Sequence, residues 1–149
     1  MKKLLLIIAI LVSASALRAQ GPTIKSYVEL THIGNKYGTA IGYSFKNKME
    51  LGGFHQEAPA FMNDMESMPR VYERNFSGAY FNFPVKRYEK SGFDLNIRAG
   101  AINGEYFCIT PTAQGYFNPA KLIKLGAGVG IKAFRPTFQA SISLNLTGS

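Results

Sequence analysis

Thr137-Phe138-Gln139-Ala140-Ser141-Ile142-Ser143-Leu144-Asn145-Leu146 alternates without a break. Phe138, Ala140, Ile142, Leu144 and Leu146 take one face; Thr137, Gln139, Ser141, Ser143 and Asn145 take the other. Successive side chains of a β-strand point to opposite sides, so this stretch reads as a strand with one apolar and one polar face. Working back from it, seven further segments repeat the pattern between turn residues: 24–33, 37–45, 49–57, 74–85, 93–102, 106–117 and 122–132. After residue 20 no helical periodicity of any length interrupts them.

The faces agree from segment to segment. Tyr37, Thr39, Ile41, Tyr43 and Phe45 oppose Gly38, Ala40, Gly42 and Ser44. Phe93, Leu95, Ile97, Ala99 and Ala101 oppose Asp94, Asn96, Arg98 and Gly100. Ile123, Leu125, Ala127, Val129 and Ile131 oppose Lys124, Gly126, Gly128, Gly130 and Lys132. The second face is rich in Gly, Ser and isolated charges. A soluble barrel would turn the apolar face inward and leave a Gly-rich surface in water. A membrane barrel would turn it to lipid and pack small and charged residues into a lumen only wide enough for side chains. With both chain ends on the periplasmic side, outward Phe45, Phe83, Phe93 and Phe117 fall at the lower rim, and Tyr37, Phe107 and Phe138 near the upper one. Two aromatic belts favour the membrane arrangement.

The start of the chain points the same way. Lys2 and Lys3 precede an apolar core from Leu4 to Val12, and Ala19 suits a cleavage site, so residues 1–19 read as an export signal. The apolar run is shorter than the roughly 20 residues of a spanning helix. About 130 residues remain as one domain, 20–149. Three of the eight net positive charges lie in 1–19, leaving +5. Those charges sit mostly in connections rather than in one stripe, which suits anionic lipid headgroups or polysaccharide better than nucleic acid. Cys108 is the single cysteine, so an internal disulfide and a cysteine metal site are excluded.

On these features the chain resembles the small eight-stranded outer-membrane β-barrel family: signal peptide, eight alternating strands, amphipathic last strand. The resemblance covers essentially all of 20–149. It implies an all-β, antiparallel, up-and-down transmembrane barrel in the outer membrane of a Gram-negative-type cell. Many members end on an aromatic residue, whereas this chain ends Leu146-Thr147-Gly148-Ser149.

Three constellations bear on function. Lys25, Glu29, Glu50, Asp94, Arg98 and Lys124 share the expected inner face, with Glu29 and Arg98 at similar mid-barrel height. They read as a salt-bridge network plugging the lumen, with a selective ion path as the alternative. His55 and Glu57 on strand three and Ser77 on strand four face outward near the upper rim, with His32 in the neighbouring connection. Some small outer-membrane barrels are lipid-modifying hydrolases, and a Ser, a base and an acid that orients it are what such chemistry needs. Rim histidines are also common interface anchors, and the spacing matches no family motif. The connection 58–73 carries Phe61, Met62, Met65 and Met68, suited either to binding a protein or polysaccharide partner or to folding over the barrel mouth. The three methionines lack a Cys or paired His to support a metal, and no cofactor is expected. Pro111, inside strand six, is expected to cause a bulge or local kink.

The leading expectation is therefore a non-enzymatic, closed-lumen outer-membrane barrel with a structural or surface-interaction role through its external loops. An outer-leaflet lipid hydrolase or acyltransferase is the alternative, and a soluble periplasmic lipid-binding barrel is third. Nothing in the sequence fixes the oligomeric state.

Overall fold

The computed structural model describes residues 19–32, 34–58 and 73–146. The proposed signal core, and Phe61, Met62, Met65 and Met68 of the long connection, lie outside them. The described residues form eight strands in one meander: β1 (Ala19–Thr31), β2 (Gly34–Phe45), β3 (Glu50–Glu57), β4 (Asn75–Arg87), β5 (Ser91–Ile102), β6 (Tyr106–Ala120), β7 (Ile123–Lys132) and β8 (Arg135–Asn145). Every strand pairs antiparallel with its sequence neighbours, and β8 closes on β1 from Leu30↔Phe138 to Thr23↔Asn145. The result is a closed barrel. Closure gives each strand two partners along its middle and leaves one-sided margins only near strand ends.

The two faces sort as the alternation requires, with the apolar one outside. Ile41 is 66 % exposed, and Phe93, Val129, Ile131, Phe138 and Ile142 also stand on the outer wall. Thr23, Lys25, Glu29, Asn82, Asn96, Arg98, Thr110, Thr112, Gln114 and Gln139 are buried in the interior. That distribution inverts the usual arrangement of a soluble domain, whose charged side chains are rarely fully buried. Phe83, Phe117, Tyr37 and Phe107 are exposed at the two ends, where the alternation puts them.

The interior also holds large rings that the Gly/Ser/charge reading of this face passed over. Tyr27, Phe54, Phe76, Tyr80 and Tyr116 are buried there. Inward glycines on adjoining strands make room for several of them. A Cβ on Gly38 would lie 2.2 Å from the Tyr27 ring, and one on Gly52 would lie 2.7 Å from that of Tyr80. Such small-against-large pairing is how a narrow barrel fills its interior with side chains.

The turns correct three expectations. The segments 74–85 and 93–102 leave 86–92 between them, but β4 runs to Arg87 and β5 starts at Ser91, so the turn is short. A bulge between Pro84 and Lys86 absorbs the offset, and Tyr88 N–H donates to Ser91 O at 2.8 Å to close a short hairpin. Residues 34–36, left between the segments 24–33 and 37–45, belong to β2, and the reversal before them is closed by Thr31 Oγ1 donating to Gly34 O at 2.8 Å. Pro111 makes no bulge: β6 stays in register with β5 through Ile97↔Pro111. A Cβ on Gly130 would approach the Pro111 carbonyl oxygen to 2.7 Å, so the main-chain edge of Pro111 faces β7. The β6–β7 pairing stops at Thr112↔Gly130, so the residue without an N–H stands where the ladder ends.

Two upper hairpins turn through left-handed residues. Asn103 and Gly104, in the three-residue connection before Tyr106, have φ of 54° and 74°, a backbone that Asn and Gly adopt readily. Ala133 and Phe134 adopt φ of 47° and 62° without that chemistry, and Phe134 is fully exposed at the tip.

Candidate functional site

The interior charges form two clusters. In the upper one, Glu29 of β1 reaches across the lumen. One carboxylate oxygen accepts from Arg98 Nη2; the other accepts from Lys132 Nζ at 2.7 Å and Gln56 Nε2 at 2.8 Å. Arg98 Nη1 donates to Gln56 Oε1 at 2.9 Å. Glu73, just before β4, accepts from Lys132 at 2.8 Å and Gln56 at 3.0 Å and pairs with Lys36 at 2.9 Å. The Arg98 guanidinium also lies 5.1 Å from the Tyr27 ring centroid, and Lys132 Nζ 4.4 Å from that of Phe76. Residues from β1, β2, β3, β5 and β7, with Glu73, thus meet in one knot.

The lower cluster is looser. Lys124 pairs with Asp94 and lies 3.8 Å from Glu50; Asn82 Nδ2 donates to Asp94 at 2.9 Å; Lys25 Nζ donates to Gln114 Oε1 at 3.3 Å. Between the clusters, beside Tyr27, Tyr80 and Arg98, lies a cavity of about 10 Å³. One water needs about that much. A wider cavity of about 520 Å³, lined by Thr23, Ser44, Glu50 and Lys124, opens at the lower end.

Of the six charges expected on the inner face, Lys25, Glu29, Asp94 and Arg98 are buried and Glu50 and Lys124 are half-buried at the lower end; Glu29 meets Arg98 directly. Lys36, Gln56, Glu73 and Lys132 were missing from that set. Lys36 and Lys132 share the parity of Gly38 and Gly130, so the alternation carried a signal for both. Glu73 sits at the end of a long connection, where no alternation marks it.

The outer-wall group also assembles. The register sets His55 opposite Ser77, and Glu57 follows two residues later on the His55 face. Ser77 Oγ lies 2.5 Å from His55 Nδ1, and Glu57 Oε1 lies 2.8 Å from His55 Nε2. Serine, imidazole and carboxylate therefore stand in one hydrogen-bonded line, exposed on the wall. One tautomer satisfies both contacts: Ser77 O–H donates to an unprotonated Nδ1, and Nε2–H donates to Glu57. Adjacent outward positions hold Thr39, paired with His55, and Tyr37, paired with Glu57. His32 lies exposed in the turn after β1.

No family model, curated protein or solved structure matches the chain.

Proposed function

We propose that the chain is an outer-membrane barrel with a closed lumen, which works through its outer wall and upper rim rather than by passing solutes. The carrying observation is the inverted distribution of polarity: an apolar wall around a charged interior whose mid-section is filled. In water that wall would be an exposed apolar surface far larger than monomeric proteins tolerate. Against hydrocarbon it is the required surface, and closure leaves no strand edge unpaired there. A soluble lipid-binding barrel needs the opposite arrangement, an apolar cavity. The filled mid-section supports a plug rather than an ion path. The basic residues near the strand ends, Lys46, Lys48, Lys86 and Lys121, suit anionic headgroups at the lower rim.

Ile41→Arg tests the membrane assignment. Ile41 stands in the middle of β2 on the outer wall. In lipid vesicles the substitution is expected to cost about 2–4 kcal/mol of unfolding free energy, the range for Arg at a bilayer midplane. A protein recovered in aqueous solution whose stability Ile41→Arg leaves unchanged would refute it. Planar-bilayer recording tests the plug, and a steady large conductance would contradict it.

A further inference from the structure

We propose that Ser77, His55 and Glu57 form a hydrolytic centre on the barrel wall that cleaves acyl esters of membrane lipids. This rests on the membrane reading above.

Three observations carry it. The contacts run in catalytic order: nucleophile to base at 2.5 Å, base to orienting acid at 2.8 Å. The imidazole presents Nδ1 to the serine and Nε2 to the acid, the reverse of the common arrangement, but both nitrogens can serve as base. Second, the three side chains come from two adjacent strands of a rigid sheet, which holds them in place better than a loop would. Third, their position selects the substrate. All three point away from the lumen, so a barrel set in a bilayer offers them only to lipid. Glu57 pairs with Tyr37, an exposed aromatic of the upper rim. Aromatic belts mark the boundary between headgroups and acyl chains, and that is the depth at which lipid esters lie.

The chemistry balances with water as co-reactant. Ser77 Oγ attacks the acyl carbonyl carbon while its proton passes to His55 Nδ1. The ester C–O bond breaks, and His55 returns the proton to the departing alkoxide, leaving acyl-Ser77 and the lyso-lipid. Water then attacks the acyl-enzyme, giving its proton to His55. Collapse of that intermediate expels Ser77 Oγ, which takes the proton back and frees the fatty acid. Glu57 is a positioning residue that holds the tautomer and faces the imidazolium formed in each half.

The test uses the full chain folded into vesicles, in two arms: glycerophospholipid alone, and the same lipid carrying acylated saccharolipid. Free fatty acid is measured by mass spectrometry, and a fluorophosphonate probe reports the nucleophile. Wild type is expected to release fatty acid in at least one arm, which identifies the lipid class, and to take the probe at Ser77. Ser77→Ala should lose both signals while keeping its heat-modifiable gel migration. His55→Asn should lower the rate about 10²–10⁴-fold, the usual contribution of a general base. Glu57→Gln should lower kcat with KM little changed. Folded wild type that releases nothing in either arm, or releases as much as Ser77→Ala, overturns the proposal. So does hydrolysis of a water-soluble nitrophenyl ester with both lipids untouched. Vesicle flotation and Ile41→Arg read the membrane assignment separately.

Discussion

Replacing Glu29 by Gln removes one charge from the upper knot and almost no volume. Glu29 is fully buried and its carboxylate faces both Arg98 and Lys132. At the 2.7 Å contact to Lys132, an effective dielectric of about 20 gives about 6 kcal/mol of gross attraction. Gln keeps some of the hydrogen bonds, and the desolvation already borne by the carboxylate is recovered. Removing one partner of a buried ionic group nonetheless costs about 3–5 kcal/mol, because the opposing charge is left without compensation. Glu29→Gln is therefore expected to lower the unfolding free energy by about that much. Lys132→Met in the same chain should return part of it, with a coupling of about 1–3 kcal/mol. The chain has no tryptophan, so urea unfolding in vesicles is best followed by circular dichroism and heat-modifiable migration. A Glu29→Gln protein with wild-type stability, or strictly additive effects in the double variant, would refute the view that these charges hold one another in place.

Two further substitutions test the packing and the turns. Gly38→Ala drives a Cβ into the Tyr27 ring and should cost about 1–3 kcal/mol by overpacking; Tyr27→Leu alongside it should relieve the clash, read as a recovered urea midpoint. Ala133→Asn with Phe134→Gly supplies the residues that the left-handed β7–β8 turn favours and should stabilise by about 1–2 kcal/mol; an unchanged or lowered midpoint would indicate that the exposed Phe134 contributes elsewhere.

Strand periodicity is a local signal, and it made most of the barrel legible. The eight segments and their faces follow from side-chain parity alone, and so do the inward Lys25, Asp94 and Arg98. The partners of those charges did not follow, because Glu29 meets Lys132 across a sequence separation that parity does not encode. Glu73 was hidden for another reason: it enters the lumen from an irregular stretch. The inward rings of Tyr27, Phe54 and Phe76 stand at the inward parity of β1, β3 and β4, but the Gly/Ser/charge reading of that face rested on β2, β5 and β7, which carry no inward ring. Pro111 shows a limit of composition rules. A proline inside a strand reads as a defect until the end of the neighbouring strand is known. The Ser77–His55 contact needed a register across a sixteen-residue connection, which no local pattern supplies.

The end of the β6–β7 ladder at Pro111 has a further consequence for how copies of this chain meet. Above Thr112, β6 pairs with β5 but with no residue of β7, so Tyr106–Pro111 forms a short one-sided margin, as Gly34–Lys36 of β2 and Arg135–Thr137 of β8 also do. Margins of that kind invite a strand from a neighbouring molecule, which would join two barrels edge to edge. An incoming strand would meet Pro111 at the step that must nucleate pairing, and there the main chain offers a carbonyl but no N–H. The first bond of such an intermolecular ladder would be missing, which disfavours joining two barrels edge to edge at this margin.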